Sequence, residues 1–427
     1  MNHEKPIIKN KEWIGRIPSD WDFVKIKEHF VERNTKVDDI SFPPLSVSMG
    51  GVVDQIENVS KSDNSENRKL VKKNDFVINS RSDRKGSSGI SPRDGSVSLI
   101  NIVLKPKNIN PKYSEYLFKS YYFKEEFFRN GKGIHFDLWS TRYELMKQIF
   151  IPYPKIEEQN KIVEYLDNET HQIEKLTKKI EKKIELLKEQ RISLINEVVT
   201  KGLNPNVEMK DSGIEWIGEI PSHWKTLRSK YIFSEKPSNG IFKKKDQFGF
   251  GTKIINVSDV YTNNFLISDE NLDSVDCTKE EESSFGVKNG DQFFIRSSLK
   301  LEGIGVSSMY IGEEPCVFEC HVVKISPNQD IIVPRFLNYY LNSSVCREYF
   351  IKHSNTVTMT TIPQEPIKNI QVPIPSKKEQ EEIIEYLNKK TMLIDLNISK
   401  EKKRIELLKE YKQSLISELV TGKKRVV

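Results

Sequence analysis

The sequence predicts an α+β protein with two mixed α/β domains and two long antiparallel coiled-coil helices, arranged as an internal repeat with approximate two-fold symmetry. Three observations support this prediction. One short motif occurs twice, a second block of motifs occurs twice, and each copy of the second block opens a long amphipathic helix. The 427 residues also exceed what one hydrophobic core usually organises, so two or more domains are expected.

The first repeated motif stands near the start of each half of the chain. Residues 12–21 read EWIGRIPSDW and residues 215–224 read EWIGEIPSHW, so eight of the ten positions are identical. Self-similarity of this kind is typical of a duplicated structural unit.

The second repeated block recurs at a different spacing. The sequence IELLKE occupies residues 184–189 and again residues 405–410, an offset of 221 compared with 203 for the first motif. Glu158-Gln159 likewise returns as Glu379-Gln380. The duplicated ends therefore enclose middle segments of different length, which indicates a fixed scaffold that presents two variable segments.

A long helix is predicted after Pro154 and again after Pro375. Proline is tolerated at a helix start, and the acidic residues that follow suit the positive end of the helix dipole. Gly202 and Gly422 are predicted to end the two helices. Between these limits, apolar residues recur at the three- and four-residue steps of a coiled-coil seam.

Each predicted helix needs a partner, because one narrow apolar seam with charge elsewhere is not stable alone. The two copies are each other's obvious partner. Asn397 and Glu401 replace apolar positions of the first copy, so the seam is expected to be looser there. The predicted helix-pairing residues are Ile180, Ile184, Leu187, Leu194, Ile398, Ile405, Leu408 and Leu415.

The chain divides on this pattern into four parts. The predicted parts are a first domain at 1–150, a central long helix at 151–204, a second domain at 205–372 and a distal long helix at 373–427. Both domains combine strand-like runs with one helical aromatic run, so each is expected to be a mixed α/β fold.

A polar loop with cations follows a strand-like run in each domain, at residues 79–89 and 296–300. Arginine can bind guanine with two hydrogen bonds, and serine and lysine suit phosphate. An ordinary solvated hairpin is the alternative interpretation, and both remain open. A hydroxyl-rich run, Thr356 to Thr361, adds further candidates. The candidate DNA-binding residues are Arg81, Ser82, Arg84, Lys85, Ser87, His135, Arg142, Lys243, Lys244, Lys245, Arg296, Ser297, Ser298, Lys300, Thr358 and Thr360.

Charge is distributed unevenly between the domains. The whole chain carries a formal net charge of +6. Residues 22–150 contain 22 basic and 17 acidic residues, whereas residues 225–375 contain 17 and 18. Only the first domain is therefore broadly basic, and the acidic run at 269–282 is expected to face solvent away from any DNA.

Several classes of protein are disfavoured by what the sequence lacks. No apolar stretch approaches the roughly 20 residues of a membrane span, and the first ten residues have no signal-peptide core, so a cytoplasmic location is predicted. No catalytic residues are predicted, since a P-loop is missing and residues 41–45 lack the amide and the aromatic of an adenine methyltransferase motif.

The cysteines could suggest a metal site at Cys316 to His321. Alternating residues there favour a strand with buried cysteine, and the paired spacing of zinc ligands is missing. No metal is therefore predicted. Four cysteines in a chain of this length also do not form a disulfide framework.

The chain resembles the specificity subunit of Type I restriction–modification systems. The resemblance rests on three features: the repeated Trp-Ile-Gly-x-Ile-Pro-Ser-x-Trp motif, the repeated Glu-Gln block and the paired helices. The resemblance covers nearly the whole chain. It implies two target recognition domains, each reading one half of a bipartite DNA site, with helices that set the gap and dock methyltransferase subunits. It also implies a non-catalytic chain with double-stranded DNA, two methyltransferase (modification) subunits and restriction/translocase subunits as partners. S-adenosylmethionine, Mg and ATP would be bound by those partners and no cofactor by this chain.

Two other interpretations remain. The chain could be a helical scaffold that only bridges proteins, or the same subunit could serve a methylation-only or Type IIB-like system. Salt-dependent, sequence-specific DNA binding would distinguish a specificity subunit from a scaffold.

Overall fold

The computed structural model describes residues 14–55, 67–133, 139–299, 301–356 and 360–426. The chain forms two compact units: unit 1 comprises residues 1–180 and 403–427, and unit 2 comprises residues 181–402. Both units combine strands and helices, as the sequence predicted. They cut across the predicted four-part division, because each unit takes a stretch of both long helices.

Unit 1 contains a mixed domain that precedes the first long helix. Its strands are β1 (Asp22–Lys25), β2 (Phe30–Glu32), β3 (Lys36–Val37), β4 (Leu45–Ser48), β5 (Gly51–Asp54), β6 (Arg68–Val71), β7 (Phe76–Asn79), β8 (Ser88–Ile90), β9 (Gly95–Val97), β10 (Asn101–Pro106) and β11 (Phe150–Tyr153). Its helices are α1 (Ile26–His29), α2 (Pro111–Lys119), α3 (Tyr121–Arg129) and α4 (Tyr143–Met146).

The main sheet of unit 1 has the strand order β2-β10-β7-β8, and these neighbours are antiparallel. A second sheet has the order β3-β6-β9, and β4 and β5 form a hairpin. Strand β1 pairs with β11, which joins the start of the domain to its end. Phe118 on α2 lies at the centre of the core, with its ring 4.8 Å from that of Phe76 and 4.5 Å from that of Phe123.

The first long helix, α5 (Ile156–Lys201), leads into unit 2. The strands of unit 2 are β12 (Met209–Asp211), β13 (Glu219–Pro221), β14 (Lys225–Arg228), β15 (Ser238–Asn239), β16 (Phe248–Ile255), β17 (Leu266–Ile267), β18 (Asp273–Val275), β19 (Gln292–Ile295), β20 (Ser297–Ser298), β21 (Ser307–Tyr310), β22 (Cys316–Phe318), β23 (Val322–Ile325), β24 (Asn355–Thr356), β25 (Thr360–Thr361) and β26 (Gln371–Ile374). Its helices are α6 (Val257–Val260), α7 (Lys279–Phe285), α8 (Pro334–Leu341), α9 (Ser344–Lys352) and α10 (Gln364–Asn369). The second long helix, α11 (Lys377–Val420), begins in unit 2, and its residues from 403 onwards belong to unit 1.

The two domains share a sheet core. In unit 2 the main sheet has the order β15-β23-β19-β21-β17, so β23-β19-β21 corresponds to β10-β7-β8 of unit 1. The turn before the central strand is also the same. Asp75 accepts the amide of Lys72, and Asp291 accepts the amide of Lys288, each at 2.8 Å. The faint similarity of the middle segments therefore reflects one common core.

The helical aromatic run of each domain is two helices instead of one. Ser120 separates α2 from α3, and Ser343 separates α8 from α9. Each serine takes an extended backbone conformation, and its hydroxyl accepts an amide of the next helix. Since serine caps helices well, the break is local in origin.

The repeated first motif is fixed to the helix that follows each domain. The Trp21 indole donates to Glu158 at 2.9 Å, and the Trp224 indole donates to Glu379 at 3.2 Å. Both tryptophans are buried. The motif thus ties the start of each domain to the first turn of α5 or α11.

The glutamine that follows each of these glutamates forms a second set of hydrogen bonds between the domain and its long helix. Buried Gln159 accepts the amide of Asn110 and donates to the carbonyl of Pro154, both at 2.8 Å. Gln380 likewise accepts the amide of Val333 at 2.7 Å and donates to Pro375. The repeated Glu-Gln pair therefore clamps the loop before α2 or α8 to the start of a long helix.

Glu379 makes the acid stability of unit 2 dependent on pH. Burial alone would raise the pKa of this carboxyl, but hydrogen bonds from His223, Ser376 and Trp224 together outweigh burial and lower the pKa to about 2. A depressed carboxyl pKa stabilises the fold above about pH 4.5, and that contribution is lost as the pH falls towards 2.

We therefore expect Glu379→Gln to flatten the acid dependence of stability. Between pH 5 and pH 3 the wild type should lose on the order of 1–2 kcal/mol more than the variant, after allowance for solvent screening. Urea unfolding at both pH values measures this difference. Glu381→Gln, on the exposed side of the same helix, is the control, and equal pH slopes in all three proteins would contradict the assignment.

The two long helices end where the sequence predicted. Gly202 follows α5 with φ +75°, and Gly422 follows α11 with φ +71°, a left-handed conformation that glycine adopts without strain. Each helix end packs against a tryptophan of the repeated motif. A Cβ at Gly422 would approach Trp21 to 3.1 Å, and one at Gly202 would approach Trp224 to 3.2 Å.

The long helices pair in antiparallel direction within each unit. In unit 2, Lys183 binds Glu401 at 2.6 Å and Arg191 lies 3.2 Å from Asp395. Later residues of α5 thus contact earlier residues of α11, as in an antiparallel pair. In unit 1, Glu174 binds Lys412 at 2.7 Å. Among the residues predicted to pair the helices, the buried ones are Ile180, Ile184, Ile398 and Leu415, and the half-buried ones are Leu187, Leu194, Ile405 and Leu408.

Of the two residues expected to loosen the seam in the second copy, only Glu401 lies in the seam. Asn397 lies on the exposed side of α11, whereas Glu401 is 8% exposed and occupies the seam, where it binds the exposed Lys183. The carboxylate therefore fills the place that Ile180 fills in the first copy. A buried ion pair often adds little stability compared with an apolar residue of similar size.

We expect Glu401→Ile to leave the free energy of unfolding unchanged or to raise it by about 1 kcal/mol, since Lys183 can reach solvent. Glu401→Ala, which leaves a cavity instead, should lower it. Denaturant unfolding of both variants checks this. A loss from Glu401→Ile as large as from Glu401→Ala would show that the ion pair itself stabilises the seam.

Candidate nucleic-acid interface

The cationic loop of unit 2 forms part of a small three-stranded sheet with the order β20-β25-β24. Ser297 pairs with Thr361, and Thr361 pairs with Asn355 on its other side. The structure thus brings together two segments that the sequence offered as separate candidates, namely the loop at 296–300 and the hydroxyl-rich run.

One face of this small sheet is buried and the other faces outwards. Ser298, Thr360 and Ile362 are buried. Side chains alternate along a strand, and directly opposed residues on neighbouring strands project to the same side. Ser297, Thr361 and Asn355 therefore share the outward face, where Asn355 is exposed. We call these three residues the unit 2 triad.

Unit 1 has the same arrangement at its own cationic loop. Ser140 forms antiparallel bridges with Arg81 on one side and with Lys132 on the other. The backbone bond that holds the loop is also equivalent, because the Thr141 amide donates to Ser80 as the Ile362 amide donates to Arg296, both at 2.9 Å. We call Arg81, Ser140 and Lys132 the unit 1 triad.

The residues on either side of Ser140 show which side of this segment packs against the core of unit 1. The Trp139 indole donates to the carbonyl of Phe128 at 2.9 Å, and its ring stacks on the Phe128 ring. The Thr141 hydroxyl donates to the carbonyl of Phe127 at 2.7 Å. Both side chains pack on α3, so the unit 1 triad faces away from the core.

The cations of the unit 1 loop differ in how they are engaged. Lys85 binds both carboxylate oxygens of Glu125 at 2.8 Å and lies 4.6 Å from the centre of the Phe128 ring. Arg84 lies 3.6 Å from Asp83. Within the described part of the chain, the exposed Arg81 and Lys132 side chains make no hydrogen bond or ion pair. The two triad cations are thus available to an anionic or hydrogen-bonding partner.

The comparison with known families agrees with this duplicated arrangement. Residues 18–186 and 221–407, well over half of the chain, match the family model described as the Type I restriction modification DNA specificity domain. The chain belongs to this family. The two matches coincide with the two repeats and include both triads.

Relatives named as specificity subunits support the membership. The type I restriction enzyme MjaVIII specificity subunit of Methanocaldococcus jannaschii is 26% identical, covering 97% of this chain and 96% of the relative. The EcoBI specificity subunit of Escherichia coli is 26% identical over 56% of this chain and 51% of its own length. Among solved structures, the HsdS subunit from Thermoanaerobacter tengcongensis covers 96% of this chain and 98% of its own, with a TM-score of 0.52 and 14% identity.

A second solved structure is closer in fold. It comes from work on the "complex assembly and conformational transition of the type I R-M system", and its chain matches with a TM-score of 0.70 and 14% identity. The match covers 96% of this chain and the whole of that one. At this identity the likeness concerns the fold alone.

The other candidate residues of this specificity-domain protein are placed less favourably. Ser87, Ser298 and Thr360 are buried, which argues against direct contact with DNA. The Lys243 side chain is 6% exposed and bound to Glu281 at 2.8 Å, so its charge is already engaged. His135, Lys300, Thr358 and the side chain of Ser82 lie outside the described residues.

The remaining candidates stay accessible. Lys244 and Lys245 are exposed at the start of a short 3-10 turn, and Arg142 is exposed just before α4. Arg296 is half-buried and holds β25 through its carbonyl. Sequence reasoning missed Lys132, Ser140 and Asn355, because nothing local marks them as the pairing partners of a distant loop.

The acidic run of unit 2 has structural uses that the sequence did not reveal. Asp269 accepts the amides of Glu313 and Glu314, and these bonds lower the pKa of its carboxyl. Glu281 caps α7 while it binds Lys243, and Glu282 accepts the hydroxyl of Thr252. At least three of these acidic side chains therefore stabilise loops of unit 2.

The suspected metal site reduces to three consecutive residues. Donor atoms of Glu319, Cys320 and His321 lie within 4.8 Å of one another, and one Glu319 oxygen already accepts the amide of Val257. Structural zinc takes four ligands, so this set falls short. Burial raises the pKa of Cys316 to about 12, which keeps that thiol protonated.

Among the helices that the structure describes, none has an apolar stretch that could span a membrane.

Proposed function

We propose that this chain is the DNA sequence-specificity subunit of a type I restriction–modification complex, in which each unit reads one half of a bipartite DNA target. The observation that carries the proposal is the duplicated outward-facing triad, Arg81-Ser140-Lys132 and Ser297-Thr361-Asn355, within the two matched specificity domains. Each triad lies beside buried residues of its unit, and Arg81, Lys132 and Asn355 are exposed to solvent.

The chain itself carries out recognition, and covalent chemistry belongs to its partners. These partners are two methyltransferase subunits, which modify adenine N6 with S-adenosylmethionine, and restriction/translocase subunits that use ATP and Mg. The paired helices α5 and α11 set the gap between half-sites and dock the methyltransferase subunits. Leu186 and Leu407 support this docking role, since they occupy the same place in the two IELLKE copies and are 51% and 53% exposed.

The proposal is tested by expressing the chain with the methyltransferase subunit encoded beside it in a host that lacks DNA methylation. Long-read sequencing then maps N6-methyladenine across the genome. A two-part motif with a fixed gap, absent when this chain is left out, is the expected result. If both proteins are soluble and associated but no new methylation arises, the chain is better described as a protein scaffold.

A further inference from the structure

The two triads occupy the same structural position but carry different chemistry. Arg81 corresponds to Ser297, Ser140 to Thr361 and Lys132 to Asn355, since each set is bridged in the same order across three chain segments, by isolated bridges in unit 1 and by paired strands in unit 2. The unit 1 triad has two cations, whereas the unit 2 triad has none. A shared backbone arrangement with different outward side chains is expected of two domains that recognise different DNA sequences.

The dimensions of the small sheet suit the major groove of DNA. Three strands spaced 4.7–4.9 Å apart span roughly 10 Å, and the major groove is about 12 Å wide. Opposed side chains lie about 4.5–5.5 Å apart across the strands, and the rise between base pairs is roughly 3.4 Å, so neighbouring triad side chains would reach base pairs one to two steps apart. Short β-ribbons are a known means of reading base edges in this groove.

The chemistry of each triad selects among bases. The guanidinium of Arg81 is a planar fork that can bind O6 and N7 of guanine together, while Lys132 is a point charge that suits phosphate. In unit 2 the amide of Asn355 can both accept from N6 and donate to N7 of adenine. Within the described residues, the Asn355 side chain makes no hydrogen bond that would prevent this.

The backbone under each triad is held in place, so little order must be gained on binding. Trp139 and Thr141 fix the segment around Ser140 to α3, and Ser298, Thr360 and Ile362 fix the unit 2 strands to their core. Pre-organised backbone with free side-chain termini lowers the entropic cost of recognition.

Resting on the proposed function, we propose that Arg81 reads a guanine in one half-site and that Asn355 reads an adenine in the other. The two triads thus determine which bases the chain accepts, and Lys132 contributes affinity through the phosphate backbone.

The test uses the complex of this chain with its methyltransferase subunit and maps N6-methyladenine for four variants. Arg81→Ala should relax one G·C position of one half-site, with discrimination against other bases falling roughly 5- to 150-fold, while the other half-site stays unchanged. Asn355→Ala should relax one A·T position of the opposite half-site. Arg81→Lys should relax the same position as Arg81→Ala but retain more overall methylation, because the charge remains.

Arg84→Ala is the matched control, since Arg84 lies in the same loop with its charge next to Asp83. It should leave the motif unchanged. A wild-type two-part motif that survives Arg81→Ala and Asn355→Ala, or that is weakened equally at all sequences, overturns the base assignments and leaves the proposed function standing. A wild-type complex without any two-part motif overturns both. The three residues changed in these four variants are all exposed, so the variants should fold, and circular dichroism verifies this.

Discussion

Replacing Trp224 by alanine should lower the free energy of unfolding of unit 2 by about 3–5 kcal/mol. The Trp224 side chain is 1% exposed and lies in the core of the unit. Its ring also packs against Gly202 at the end of α5, and its indole binds Glu379 at the start of α11. The substitution therefore leaves a cavity at the point where the domain meets both long helices.

Urea unfolding followed by hydrogen–deuterium exchange locates this loss within unit 2. Trp216→Ala is the matched control, because Trp216 belongs to the same repeated motif but is 41% exposed, with its ring centre 5.2 Å from that of Tyr349 in a tilted arrangement. We expect the control to cost less than about 1.5 kcal/mol. Equal losses from the two substitutions would show that Trp224 does not organise the junction.

Replacing Asp75 by alanine should destabilise unit 1 by about 3–5 kcal/mol. Buried Asp75 accepts Arg33 Nε at 2.6 Å and Arg33 Nη2 at 3.2 Å, as well as the amide of Lys72. The variant leaves the half-buried Arg33 guanidinium without its counterion. It also loosens the turn before β7, the strand that leads to the Arg81 loop.

The control is Asp94→Ala, since Asp94 binds Lys72 at 2.7 Å but is half exposed. An exposed pair of this kind contributes less than about 1 kcal/mol. Denaturant unfolding compares the two variants. If Asp75→Ala costs no more than Asp94→Ala, the Arg33 pair contributes no more than a surface ion pair.

Sequence reasoning succeeded where the signal is local or repeated. The ends of the long helices follow from Pro154, Pro375, Gly202 and Gly422, whose backbone restrictions act within a few residues. The antiparallel helix pair follows from the duplication of the IELLKE block. The split of each aromatic run at a serine was within reach of the same reasoning, because a capping serine acts locally.

The binding surface was harder to predict because it depends on contacts between distant segments. Ser298 and Thr360 are candidates on sequence grounds, but each lies one position from an outward residue and so points into the core. A difference of one residue along a strand reverses the side to which a side chain projects. Only the pairing of 296–298 with 360–361 reveals which residues face outwards.

The separation of the two faces of the small sheets has an evolutionary consequence. Side chains that maintain packing, such as Thr141 and Ile362, lie on one face, and those assigned to base recognition lie on the other. On the proposed assignment, substitution of an outward residue changes which DNA bases the protein recognises at little cost in stability. On that assignment a lineage can acquire a new DNA target by single substitutions, and neither the scaffold nor the other proposed half-site has to change with it.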